Sequence, residues 1–299
     1  MRVTDREYQG LLNRLREGKC TDEDIETLNR RIIGNTVEID SISSNPIISP
    51  GNKLGMEINR LFAARHAQGK QVFISRATDT IKKKKLPREL AQIIQNYAAT
   101  KTDCLPRELP LFIGMPVFLT KNIATELGLT NGSTGVIKYI HFKRGEIIPE
   151  GTGSFNLKHT PEYIVVKVDG DISMKAFGGL EPNHVPIFPK DGHFSVKLRG
   201  KKSVSIKRNH FPIVPRFSCT AHKSQGQTLT KAIIDLVRPA ALKKSVEINF
   251  AYVPLSRVRR LQDLTILRPF DSAILKAKVN DGCAAMMAEF KARDLCKDM

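Results

Sequence analysis

Apolar residues follow a helical period at the start of this 299-residue chain, a strand-like one in its middle, and short continuous runs elsewhere. Tyr8, Leu11, Leu12 and Leu15 stand at i, i+3, i+4 and i+7, the spacing of one helix face. Thr21 and Asp24 form a capping-box pattern ahead of Ile25 and Leu28, so two short helices are predicted to open the chain. "NPIISPGNKLGMEINRLFAAR" predicts a strand at Ile47 and Ile48, a helix start at Ser49 and Pro50, and a helix that turns Leu54, Ile58, Leu61 and Phe62 inward. The apolar runs at 71–75, 116–120, 232–236 and 264–267 have the composition of strands buried in a parallel sheet. Strands separated by helical or loop-rich stretches predict an α/β lobe.

Between Asn131 and about Ile206 the texture changes to short β-rich runs broken by Asn131-Gly132, Asp169-Gly170 and Gly178-Gly179, which predicts a small inserted β-barrel. Its last part, "FSVKLRGKKSVSIKR", sets Phe194, Val196 and Leu198 on one face. Lys197, Arg199, Lys201, Lys202, Lys207 and Arg208 crowd around a turn at Gly200. This is a basic hairpin, either contacting nucleic acid or using its lysines to guard an exposed edge. The predicted division is an N-terminal helical segment over 1–40, the α/β lobe over 41–130 and 207–275, the barrel over 131–206 and a C-terminal helix over 276–299.

Charge narrows the partner. Forty-eight Lys and Arg against thirty Asp and Glu give +18 and a pI near 9.8, which favours a polyanion, with nucleic acid first among them. The most apolar stretch, Leu109 to Leu119, is broken by Gly114 and Pro116 and is too short to span a bilayer, so no membrane partner is expected. The charged N-terminus lacks a secretory core, and five scattered cysteines (Cys20, Cys104, Cys219, Cys283, Cys296) form no Cys-x-x-Cys pair. Reduced thiols, no zinc site and a nuclear or cytoplasmic location are the expectation. "KKKK" at 82–85 is either a solvated loop or a contact to phosphate.

The chemistry gathers in "CTAHKSQGQTLTKAIIDL", 219–236, where a His-Lys-Ser-Gln-Gly pentad precedes an apolar strand. The string from Thr220 to Thr228 resembles motif V of the Pif-type superfamily-one DNA helicases. "AYVPLSRVRRLQDLTILRPF" at 251–270 resembles motif VI, "NKLGMEINRLF" at 52–62 resembles motif IV, and "GMPVFLTKNIATELGLTNGSTGVI" at 114–137 resembles the segment before the family's inserted barrel. The order and spacing agree over about residues 1 to 270, with a fungal, Helitron-associated branch the nearest fit.

That resemblance implies a RecA-like parallel-sheet domain, the second of two lobes that sandwich ATP while single-stranded DNA crosses both, interrupted by a Src-homology-type barrel. It implies a 5′-to-3′ helicase. Arg257 matches the arginine finger, a cation presented where negative charge develops on the transferring phosphoryl group. Gly226, Gln225, Thr228 and Asn52 match positions near nucleotide; Thr220, His222 and Lys223 match the DNA track, as do Lys121 and Asn122 after the "PVFL" strand. Lys197, Arg199, Lys201 and Lys202 of the hairpin join them as DNA-binding candidates. Taken alone, Asn122 reads equally as a cap.

Departures from the family pattern are Gly51 and Gly55 around Asn52, Phe250 for a frequent glutamine, and Pro254 for alanine, the last expected at a first helical position before Arg257. No Gly-x-x-x-x-Gly-Lys-Ser/Thr occurs, since Gly18-Lys19, Gly69-Lys70 and Gly200-Lys201 are each followed by the wrong residue. No Asp-Glu pair follows a buried strand to hold Mg²⁺. ATP and Mg²⁺ are therefore expected only with a first RecA-like lobe supplied from outside these residues, and the chain alone is expected to be inactive. The alternatives are a non-enzymatic nucleic-acid-binding module derived from a helicase and, from another class, a basic structural protein of a ribonucleoprotein.

Overall fold

The computed structural model describes residues 3–34, 45–95, 97, 99–170, 179–197, 203–225, 228–238, 248–277 and 289. In chain order, the first stretch holds α1 (Arg6–Arg16), α2 (Asp22–Asn29), β1 (Ile47–Ser49) and α3 (Asn52–His66). The middle holds β2 (Gln71–Arg76), β3 (Thr78–Ile81), β4 (Lys84–Lys85), α4 (Arg88–Ile94), β5 (Glu108–Leu111), β6 (Pro116–Leu119), β7 (Thr134–His141) and β8 (Gly153–Asn156). It continues with β9 (Tyr163–Val168), β10 (His184–Ile187), β11 (Lys190–Lys197), β12 (Ser203–His210) and β13 (Ile213–Pro215). The last stretch holds β14 (Ser218–Thr220), α5 (Ala221–Ser224), β15 (Ala232–Ile234), α6 (Asn249–Leu255) and β16 (Leu264–Ile266). Two compact units result, one formed by 1–55 with 218–299 and the other by 56–217.

The first unit has the parallel sheet expected of an α/β lobe, but over other bounds than the predicted 41–130 and 207–275. Its sheet runs β14-β1-β15-β16, every neighbouring pair parallel, with Ile48 opposite both Cys219 and Ile234. Ile47, Ile48, Ala232, Ile233, Ile234, Leu264 and Ile266 are all buried, as continuous runs covered on both faces should be. The N-terminal helices form as their patterns predict. Asp5 caps α1 by accepting from the Tyr8 amide, Tyr8, Leu11, Leu12 and Leu15 are buried, and the Thr21–Asp24 capping box is complete. Arg14 forks onto the buried Asp24 carboxylate at 2.6 and 2.8 Å, which holds that carboxyl below its ordinary range and ties the two helices together.

The second unit is larger than the predicted 131–206. The runs at 71–75 and 116–120, expected in the parallel sheet, lie in this unit instead. β2 pairs antiparallel with β5 and parallel with β8, and β6 is antiparallel to both β7 and β13. An uninterrupted apolar run reports burial on both faces, not strand direction. Among the described residues this unit holds three sheets: β10-β9-β7-β6-β13, β5-β2-β8, and β11-β12-β3-β4. The first two share a core around Phe73, Leu109, Phe112, Val117, Ile164 and Phe211. In α3, Ile58 is inward as predicted but Leu61 is 52% exposed, and Ala63, with Ala67 just past the helix end, is buried instead.

The third sheet packs on α4 through Leu90, Ile94, Phe194, Val196 and Ile206. The predicted basic hairpin is β11–β12, with Lys197 opposite Ser203; Leu198 to Lys202 lie outside the described residues. Arg208 is not one of its surface cations. It is fully buried, forks onto Asp79 at 2.7 and 2.8 Å, donates to the Leu105 carbonyl and lies 5.2 Å over the Phe194 ring. "KKKK" is no plain loop either: Lys82 and Lys83 form a β3–β4 turn, both with positive φ, and all four lysines are exposed. Of the predicted C-terminal helix, only Lys276, Ala277 and Glu289 are described residues.

His210 places a pH dependence in the same unit. Its Nδ1 is 2.9 Å from the Pro106 carbonyl, which can only accept, so Nδ1 carries the proton and Nε2 accepts from the Ser75 hydroxyl at 3.0 Å. Burial, opposed by the Pro106 bond and aided by Arg208, pushes its pKa down to about 4. The unfolded imidazole protonates first, near 6.5. Stability is thus fully present above that pH and is lost as pH falls towards 4, by about 3 kcal/mol. Urea midpoints measured between pH 7.5 and 4.5 should show this loss in the native chain and a flatter profile in His210→Gln. Equal slopes in the two would refute the assignment.

Candidate nucleotide and DNA site

β14 ends at Thr220, directly opposite Ser49 of β1, so the segments resembling motifs IV and V leave the sheet side by side at the C-terminal ends of parallel strands. This is where open α/β sheets present functional groups. The Ser49 hydroxyl donates to the Cys219 carbonyl at 3.3 Å and fixes the two strand ends. Asn52 is exposed at the first position of α3. Gly55, a departure from the family pattern, has a local cause: a Cβ there would stand 2.7 Å from the Ser49 hydroxyl.

From Thr220 the chain enters α5, whose Ser224 is buried, while Lys223, Gln225 and Thr228 are exposed and Thr220 is half-buried. The side chain of His222 and the whole of Gly226 lie outside the described residues. Arg257 is brought against this segment. Its Nη1 donates to the Ser224 carbonyl at 3.3 Å, its Nε to the Val253 carbonyl at 2.7 Å and its Nη2 to the Ser256 hydroxyl at 2.6 Å. The Leu229 amide donates back to the Arg257 carbonyl at 2.9 Å. The segments resembling motifs V and VI are therefore joined by hydrogen bonds in both directions, and Arg257 is 8% exposed.

Pro254 does not open a helix as expected. It stands in the last turn of α6, and the helix stops one residue later, because the ring removes a donor and crowds the carbonyl four residues back. Arg257 follows immediately.

A support for Arg257 that pattern reading missed comes from the N-terminus. The buried Tyr8 hydroxyl donates to the Leu255 carbonyl at 2.6 Å, and burial drives its phenol pKa upward. The Thr4 amide donates to the Arg259 carbonyl at 3.1 Å, and Asp5 accepts from the Leu261 amide at 3.3 Å. The available signal was a tyrosine on the buried stripe of α1, since a buried phenol needs a partner.

The remaining candidates fall within 56–217, the range of the second unit, and two of them, Lys121 and Asn122, are engaged there. Lys121 pairs with Asp103 at 2.8 Å and donates to the Asp191 carbonyl at 3.3 Å; Asn122 accepts from the Asn131 amide at 2.8 Å. They follow an antiparallel strand, so the premise of a parallel-strand C-terminus does not hold for them. Lys197 is exposed, and Arg199, Lys201 and Lys202 lie outside the described residues.

Asp235, which follows buried β15, is committed to Arg268 at 2.8 and 3.1 Å. Among the described residues, no His, Cys, Asp and Glu cluster could hold a metal ion. Of the nucleotide-site candidates, Asn52, Gln225 and Thr228 are exposed and Arg257 is buried, and the sequence contains no Gly-x-x-x-x-Gly-Lys-Ser/Thr loop.

No protein-family model matches the chain. It is 25% identical over 287 residues to the ATP-dependent DNA helicase PIF1 of Danio rerio, covering 92% of this chain and 35% of that protein. The crystal structure of the Pif1 helicase from Candida albicans superposes with a TM-score of 0.60 at 21% identity, over 96% of this chain and 58% of that one. A Bacteroides Pif1 in complex with ADP-AlF3 and ssDNA gives 0.58 at 17%, over 98% and 55%. The parallel sheet of the first unit fits a RecA-like domain in these folds. The chain is similar in sequence and fold to Pif1-type DNA helicases, and it spans about a third of the length of the Danio rerio protein.

Proposed function

We propose that the chain is the second RecA-like lobe of an ATP-dependent 5′-to-3′ DNA helicase, with a Src-homology-type barrel inserted in it. The observation that carries this reading is the two-way bonding of the motif V segment to Arg257, because a motor must couple its DNA track to its nucleotide site. Arg257 supplies the finger. Thr220, His222 and Lys223 touch the DNA backbone, and Gly226, Gln225, Thr228 and Asn52 line the nucleotide. Bound ATP with Mg²⁺ supplies the phosphoryl group and its charge neutralisation. These 299 residues hold no phosphate-binding loop, so a first lobe completes the site.

The test mixes or fuses the chain with a first lobe from a relative and measures ATPase with and without single-stranded DNA. The chain alone should be inactive and the joined protein DNA-stimulated. Thr220→Ala with His222→Ala should lower DNA stimulation more than basal turnover, and should weaken DNA affinity by about 1–3 kcal/mol. A joined protein that binds DNA and both partners yet never hydrolyses ATP would leave a non-enzymatic binding module as the correct reading.

A further inference from the structure

The outer face of the largest sheet carries a feature that the helicase reading does not use. β7 and β9 run antiparallel with a register shift: Ile137 pairs with Val166 and Tyr139 with Val165, leaving Lys138 as an extra residue. A bulge of this kind re-aims side chains, and here Lys138 and Tyr139 are exposed in succession. The alternation of β9 and β10 puts Tyr163, Val165 and Lys167 beside His184 and Pro186 on the same face.

The result is a depression of about 760 Å³ with Val165 at its floor and Tyr139, Tyr163, Pro186 and Phe188 around it. Tyr139 and Phe188 are 53% and 55% exposed, unusual for rings of this size. The rings also form a series. His141 stacks on Tyr163 at 4.6 Å and 12°, Tyr163 meets Phe188 at 5.6 Å, and Tyr139 meets His141 at 6.3 Å.

We propose that this face binds single-stranded nucleic acid, bases stacking on Tyr139, Tyr163 and Phe188 and phosphates meeting Lys138 and Lys167, as a site separate from the motif V track. Flat rings accept any base on their π-faces, and flanking cations follow the backbone. Charge favours this occupant over others. Among the described residues, two lysines line the depression against one glutamate, Glu181, and the chain as a whole carries +18. His141 faces Glu162 at 3.5 Å, so that glutamate is occupied by the aromatic row itself.

The test uses the full chain, which needs no ATPase partner, so its outcome is independent of the helicase reading. A fluorescein-labelled twelve-residue deoxythymidine oligomer reports affinity, the same oligomer with 2-aminopurine reports stacking, and an abasic oligomer of equal length reports charge alone. Tyr139→Ala with Phe188→Ala should weaken oligomer binding about 10-fold or more and remove 2-aminopurine quenching. Thr220→Ala with His222→Ala should leave that quenching in place. Lys138→Ala with Lys167→Ala should flatten the salt dependence by about 1.4 units of slope.

Both mutated rings are exposed, so circular dichroism should show the variants folded. Unchanged affinity and quenching in the ring variant, or an abasic oligomer binding as tightly as the normal one, would overturn the proposal. So would ring-dependent binding of a proline-rich peptide with DNA binding unaffected, or a ring-dependent dimer in sedimentation.

Discussion

Replacing Arg257 with alanine in a two-lobe enzyme containing this chain is expected to cut ATP hydrolysis by about 10³-fold or more while leaving single-strand affinity close to native. The finger acts only on charge that develops in the transition state, so ground-state DNA binding should not register its loss. The geometry adds a second consequence. The guanidinium bonds the Ser224 and Val253 carbonyls and the Ser256 hydroxyl, so alanine also strands acceptors at a buried junction. Arg257→Lys separates the two effects, because an ammonium keeps the charge but cannot reproduce the planar fork. Basal and stimulated ATPase, single-strand affinity and thermal midpoint, measured for both variants, decide the matter. Loss of DNA binding in a folded Arg257→Ala enzyme would show that the residue serves the DNA track instead.

The second large effect is on stability. Asp79→Ala should destabilise the second unit by about 3–5 kcal/mol, because it leaves Arg208, fully buried, with no carboxylate to offset its charge. The Leu105 carbonyl and the Phe194 ring remain but do not carry a countercharge. Removing both charges is a different experiment: Asp79→Leu with Arg208→Met should recover most of the loss, since well-packed apolar groups often match a buried ion pair. Denaturant midpoints for the single and double variants test this. A single variant within 1 kcal/mol of native would mean that water reaches Arg208.

Why the pair went unseen in the sequence is instructive, because Arg208 sits in a run of basic residues where a surface cation is the natural reading. Its partner is 129 positions away, and nothing local to "IKR" marks one cation as buried. Tyr8 is similar, legible as a buried position from the period of α1 but not as a donor to Leu255, 247 residues on. By contrast, the parallel strands at Ile47, Ala232 and Leu264 and both N-terminal helices could be read directly, since each is specified by spacing and caps within a few residues. The extent of the β unit could not, because β2 and β6 are covered on both sides and so imitate parallel strands. Motifs V and VI were legible as strings, while their mutual bonding through Ser224, Leu229 and Arg257 depends on a chain reversal that strings do not encode.

Thr4, Asp5 and Tyr8 are stitched to the segment from Leu255 to Leu261 on either side of Arg257. For anyone cutting or splicing this chain, residues 4–8 are therefore an internal strut. A domain boundary drawn after α1, where the sequence looks like a helical lead-in to the α/β lobe, would amputate the brace of the arginine while appearing to spare it. Any joint to another lobe belongs upstream of Thr4, with its slack placed there.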